Sequence, residues 1–178
     1  MRILITHGSK LGGTREIADL LARVLRDEGF DTEATPADAV DDVSAYDAVI
    51  VGGGLYANRW HRKARRFVHR HVHALRERPV WFFSSGPLDD SASRERIPPT
   101  AQVQALMEQV GARGHETFGG RLEPDARGFI AHAMAREHAG DWRDPERIAR
   151  WGRSVAVELR QAARPFEGLE SASQESPR

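Results

Sequence analysis

Ile3-Leu4-Ile5-Thr6-His7-Gly8-Ser9-Lys10-Leu11-Gly12-Gly13-Thr14 (residues 3–14) passes from an apolar, β-branched run into a glycine-rich turn. The run over residues 2–6 has no in-and-out alternation of polar and apolar side chains, as expected of a strand buried on both faces. Beyond Thr14, the apolar residues Ile17, Leu20, Leu21, Val24 and Leu25 recur at three- and four-residue spacing. That is the period of a helix with one apolar face, and Gly29 supplies its stop. A buried strand feeding a helix through glycines is the opening unit of a parallel, helix-covered sheet.

The pattern continues outward. Residues 30–35 form a second, weaker strand, and the polar, acidic residues 36–46 a connection holding a short helix. Residues 48–51 (AVIV) are the clearest buried strand, bounded by Gly52-Gly53-Gly54. A helix over 61–77 puts Ala64, Phe67, Val68, His71 and Leu75 on one face. Residues 79–83 (PVWFF) make the fourth strand, closed by Ser84-Ser85-Gly86-Pro87, and a polar loop follows. Residues 100–110 form a helix, and residues 114–118 the fifth strand. Residues 119–142 are a long connection with a short helix at 129–138. In the last helix, 145–163, Asp144 is the N-cap and Pro145 the first helical residue. The expected fold is α/β, a three-layer sandwich around a five-stranded parallel sheet in the order 2-1-3-4-5. One domain spans residues 1–164, and residues 165–178 are a polar, disordered tail.

Composition narrows the chemistry. The chain has 178 residues, 40% hydrophobic and 29% charged, which suits one globular domain. Its 26 basic and 26 acidic side chains cancel, so no global field draws it to nucleic acid or to an anionic membrane. With no cysteine, disulfides, thiolate-bound metals and thiol nucleophiles are excluded. No apolar run has the length of a membrane span or signal peptide, and a cytoplasmic protein is expected. Charge is nonetheless uneven: residues 59–78 carry eight basic side chains and one acidic, residues 26–47 eight acidic and one basic. His69, His73 and Glu77 share a helix stripe, but eight residues is about 12 Å of rise, too far for one metal ion.

In such a sheet, ligands bind beyond the carboxyl ends of the strands, at the switch point between the first and third. Three loops of unusual composition emerge there. The first, residues 8–14, can turn backbone N–H groups and a helix N-terminus toward an anion, with Ser9 and Thr14 adding hydroxyls. It is not a nucleoside-triphosphate loop, because Thr14 stands where lysine is needed. Nor is it the dinucleotide pattern, because Lys10 replaces its second glycine. What remains is a monophosphate cradle of form S-x-x-G-x-T, or a plain tight turn. The second loop, residues 52–62, brings Tyr56 and Trp60 to the switch point, either to cover a planar heterocycle or to pack on the sheet. The third, residues 84–88, offers backbone amides to a ring edge or makes an ordinary turn.

Residues 3–23 (ILITHGSKLGGTREIADLLAR) resemble the phosphate-loop segment of flavodoxin-like proteins. Gly54-Leu55-Tyr56, Arg59-Trp60-His61 and Gly140-Asp141-Trp142-Arg143-Asp144 are similar to one subgroup, the menaquinone-dependent protoporphyrinogen oxidases (dehydrogenases) and related flavodoxin-domain proteins. The resemblance implies a non-covalent FMN. By position, Ser9, Lys10, Leu11, Gly12, Gly13 and Thr14 hold its phosphate. Gly53, Gly54, Leu55, Tyr56, Ala57, Asn58, Arg59 and Trp60 flank its ring, as do Ser84, Ser85, Gly86, Pro87 and Leu88. Arg59 and Arg62 near the ring would favour its anionic reduced form by Coulomb attraction. The family implies an oxidoreductase or electron-transfer protein with a quinone or a redox partner protein, room for a small-molecule substrate, and a homodimer. It implies no catalytic acid, base or nucleophile. The competing reading is a cofactor-free module acting through protein contacts, which has no use for Ser9, Gly12 and Thr14.

Overall fold

The computed structural model describes residues 1–10, 12–122 and 140–162. Strand β1 (Arg2–Gly8) leads into helix α1 (Gly13–Asp27) and strand β2 (Asp31–Pro36). Strand β3 (Ala48–Tyr56) is followed by a two-residue strand β4 (Arg59–Trp60) and helices α2 (Arg62–Arg70) and α3 (Val72–Arg76). Then come β5 (Val80–Ser85), a one-turn helix α4 (Ser91–Arg94), α5 (Ala101–Val110) and β6 (Gly114–Phe118). Strands β7 (Arg121–Leu122) and β8 (Gly140–Asp141) pair with each other before the last helix, α6 (Pro145–Ala162).

Five parallel strands run in the order β2-β1-β3-β5-β6. Counted without β4, this is the expected order, and the fold is flavodoxin-like. Successive strand residues feed opposite cores. Ile3, Ile5, Trp81 and Phe83 pack with Leu21 of α1 and Val155 of α6. Leu4, Val49, Val80 and Phe82 pack with Phe67 of α2 and Val103 of α5. Burial on both faces is what removed the alternation from these strands. The helix ends obey their signals. Gly29, at φ +90°, closes α1 as Phe30 N–H donates to the Leu25 carbonyl (3.1 Å). Asp144 Oδ1 accepts from the N–H groups of Glu146 (3.0 Å) and Arg147 (3.1 Å) at the start of α6.

The structure corrects the expectation in several places. The third strand does not stop at Gly52 but runs on to Tyr56, turns at Ala57 (φ 48°) and Asn58 (φ 59°), and returns antiparallel as β4. The sheet therefore has six strands with β4 included. Gly52 and Gly53 do not mark a loop; they make room for rings. A Cβ on Gly52 would sit 2.1 Å from the Phe83 ring, and one on Gly53 2.3 Å from that of Trp60. The helix expected over 61–77 is broken at His71, whose ring tilts against Phe67 (4.8 Å between centroids). The helix expected within 36–46 does not form: Pro36 ends β2 and residues 37–46 make turns, with Val40 and Val43 buried. The helix expected at 129–138, the tail at 165–178 and the domain boundary at 164 lie outside the described residues.

Gly52→Ala is expected to destabilise the chain by about 2 kcal/mol or more, because the methyl group overlaps a fully buried ring in a packed core. Urea unfolding of the purified variant checks this; a midpoint equal to wild type would mean that Phe83 can yield.

Candidate functional site

The carboxyl edge of β1 is crowded, since a Cβ on Gly8 would lie 2.5 Å from the Ala64 N of α2. The chain then turns through Gly12, at φ +84°, to start α1 at Gly13 with no side chain capping its first N–H groups. Those groups carry the partial positive charge of a helix that begins next to an open cleft. Thr14 is buried at this end, and Gly54 faces it from β3. A Cβ on Gly54 would stand 3.2 Å from both Thr14 Oγ1 and Ser9 Cβ, and 3.1 Å from Tyr56 Cε2. The missing side chain leaves a concave cradle with two hydroxyls on its rim. Tyr56 closes one flank, its hydroxyl accepting from the Lys10 N–H at 2.9 Å.

From the cradle a cavity of about 450 Å³ extends along the sheet edge. One wall is Leu55, Tyr56 and Ala57, and the base is Ser85, Gly86 and Leu88. The opposite wall is Gly120, Arg121 and Leu122. Close backbone approach sets its shape. A Cβ on Gly86 would be 2.6 Å from that of Leu55, and one on Gly120 3.1 Å from Leu88 Cδ2. Gly120 N–H donates to the Pro87 carbonyl (2.7 Å) and Trp142 N–H to the Gly120 carbonyl (3.0 Å), which fixes this wall to the loop that forms the base.

The three loops do converge. Ser9, Lys10, Gly13, Thr14, Gly54, Leu55, Tyr56, Ala57, Ser85, Gly86 and Leu88 all line the cavity. Gly12 shapes the turn without lining it, and Leu11 lies outside the described residues. Asn58, on the exposed β3–β4 turn, Arg59, exposed on β4, and Arg62, at the start of α2, all lie outside the cavity lining. Pro87 contributes its carbonyl from behind. Gly53, Ser84 and Trp60 are buried beneath the wall. Trp60, 1% exposed, packs on Phe82 (4.8 Å between centroids) and is a core side chain, not a cover for the cleft. Its Nε1–H donates to Ser84 Oγ (2.8 Å), and that hydroxyl lies 2.9 Å from His115 Nε2. Residues 120–122 were missed as a wall. Gly119-Gly120, directly after the fifth strand, was the available signal, since that strand ends at the same edge.

Charge gathers beside the cradle. Glu16, in the first turn of α1, meets Arg121 (2.6 Å) through Oε1 and Arg143 (2.6 Å) through Oε2. Arg143 also grips Asp141 through Nη2 (2.6 Å) and Nε (2.7 Å). Burial acts to raise the Glu16 carboxyl, but the bonds and charges of Arg143 and Arg121 outweigh it and hold the group below the usual carboxylate range. The hydrogen bond from Arg143 holds Asp141 low as well. Burial, with the charge of Arg96 behind it, pushes the His115 imidazole down to about 4.

Residues 4–138 match the family model described as a flavodoxin domain. Among curated proteins, the chain is similar to the protoporphyrinogen IX dehydrogenase (quinone) of Escherichia coli strain K12. The two are 29% identical over 86 residues, 47% of this chain and 48% of that protein. The chain thus spans about half the length of the curated relatives it matches. Among solved structures it is similar to a flavodoxin from the domain Archaea (TM-score 0.63, 13% identity, 90% of this chain and 99% of that one). It is also similar to flavodoxin 2 of Bacillus cereus (TM-score 0.59, 18% identity, 90% and 99%).

The buried His115 makes stability pH-dependent. Its folded pKa lies below the unfolded one, so its contribution is complete above pH 6.5 and is lost as pH falls toward 4. Between pH 7 and pH 4.5 this removes about 2 kcal/mol. His115→Gln, which cannot titrate, should lose less over the same interval in thermal melts. Parallel losses in the two proteins would contradict the assignment.

Proposed function

The chain belongs to the flavodoxin domain family, and from that membership we propose that it binds FMN and works as an electron-transferring oxidoreductase. The observation that carries the proposal is the cradle between Ser9, Thr14 and Gly54, next to an uncapped helix N-terminus. A phosphate needs several donors in a concave site without a competing side chain, and this corner has that composition. In this reading the Ser9 and Thr14 hydroxyls and the first N–H groups of α1 hold the phosphate. Leu55, Tyr56 and Ala57 cover one side of the flavin ring, Leu122 closes the other, and residues 85–88 address its edge. The cavity, about 450 Å³ with mostly apolar walls, is sized for one such ligand. FMN, when bound, would supply the hydride- or electron-transfer chemistry. The chain binds and orients it and keeps water from the enclosed face. No side chain of the cavity is assigned as acid, base or nucleophile.

The finer proposal is a dehydrogenase that hands electrons to a quinone, acting in the cytoplasm on a reduced small molecule. Its support is the partial likeness to a protein named as a protoporphyrinogen IX dehydrogenase that uses quinone. The substrate must then reach an exposed edge of the ring, because the cavity holds a single ligand of that size.

The purified chain is expected to carry, or to take up at micromolar concentration, one FMN with quenched fluorescence. Gly54→Ala places a methyl group inside the cradle and should weaken FMN binding at least about tenfold, with the circular dichroism spectrum unchanged. A colourless chain that ignores added FMN would defeat the proposal. For the finer reading, anaerobic protoporphyrinogen IX with a menaquinone analogue should be oxidised by the FMN-loaded chain and not by the flavin-free one; equal rates would remove that substrate.

A further inference from the structure

Glu16 stands in the first turn of α1, beside the corner assigned above to a phosphate dianion. A carboxylate there opposes the helix dipole's attraction for an anion unless its charge is balanced. The balance is double. Arg143 reaches one oxygen of Glu16 and is itself held by Asp141, its side chain largely buried. Arg121 reaches the other oxygen and lines the cavity. Its backbone lies over the first residue of α1, where a Cβ on Gly13 would come within 3.4 Å of Arg121 N and Cβ. Arg121 therefore has its backbone beside the first residue of α1 and its guanidinium on Glu16 in the first turn, and Arg143 holds Glu16 through the other oxygen.

We propose that Arg121 is the counter-charge for the cofactor's phosphate. When a phosphorylated flavin seats, the guanidinium turns from Glu16 to the phosphate oxygens while Glu16 stays on Arg143. On binding, the dianion takes one guanidinium together with the partial positive charge of the α1 N-terminus, while Arg143 bridges the carboxylates of Glu16 and Asp141. A guanidinium fork suits phosphate oxygens, and part-burial makes the contact stronger than one in open water. Arg121 is then a positioning and specificity residue that discriminates FMN from unphosphorylated riboflavin. It also ties the β7 wall to the ligand, so the residue that balances the phosphate is part of the surface that encloses the ring.

This inference rests on the FMN reading, and the experiment separates the two. Flavin-free protein is titrated with FMN and with riboflavin by fluorescence quenching, for wild type, Arg121→Gln and Arg121→Lys, at low and at physiological salt. Arg121→Gln should lose FMN affinity by about tenfold or more, keep riboflavin affinity within about twofold, and show a weaker salt dependence. Arg121→Lys should recover most of the loss, since it restores the charge. A wild type that binds FMN with Arg121→Gln equal to it overturns the inference and leaves the FMN reading standing. Equal losses for both flavins overturn it too, because they mean packing alone. A wild type that takes up neither flavin overturns the FMN reading and the inference with it.

Discussion

Helix α1 begins without a side-chain cap, at a glycine held at positive φ, where the first strand leaves the sheet. The N–H groups of a helix start want an acceptor, and most helices supply one from an N-cap serine, threonine or aspartate. Here Gly12 takes the cap position and the acceptor has to come from outside. The surrounding architecture is consistent with that. Gly54 withdraws a side chain from the same point, Gly8 lets α2 close over the strand end, and Thr14 is buried with its hydroxyl directed toward Gly54.

Behind this corner the molecule is packed to hold its walls in place. The β3–β4 hairpin projects Leu55, Tyr56 and Ala57 over the cleft, while Trp60 anchors its return strand against Gly53 and Phe82. The hydrogen bond from Trp60 to Ser84 joins the hairpin to β5, and Ser84 joins β5 to His115 on β6. The strands β4, β5 and β6 are thus linked by side chains just beneath the cavity. On the far side, the contacts of Gly120 with Pro87 and Trp142 and the pairing of Glu16 with Arg121 and Arg143 hold the opposite wall, residues 120–122. A rigid support of this kind positions a ligand better than loops alone.

Much of this was legible in the letters. Uninterrupted apolar strands and helices of period 3.6 fixed the class of fold, and the three polar or glycine-rich breaks pointed to the correct edge of the sheet. What escaped were features in which a residue type has two uses. Glycines that end a strand and glycines that admit a ring look alike in sequence, so β3 reads as four residues long and Trp60 stays open between covering the cleft and packing on the sheet. The hairpin turn at Ala57-Asn58 lacks the Asn-Gly or Asp-Gly signal that announces two residues at positive φ. The wall at residues 120–122 and the placement of Arg121 depend on contacts between residues about a hundred positions apart, such as Glu16 with Arg121, which periodicity cannot report. Their place in the second loop suggested Arg59 and Arg62 as the arginines beside a ligand, whereas tertiary packing puts Arg121 in the cavity lining and neither of those two.

The central claim is that the amides opening α1 receive an anion, and backbone chemical shifts read it most directly. In a ¹⁵N-labelled chain titrated with FMN, the amide signals of Ser9, Gly12, Gly13 and Thr14 should move strongly downfield, and riboflavin should leave them nearly in place while still shifting Leu55 and Gly86. Movement of the wall residues with those turn amides unchanged by FMN would contradict the account.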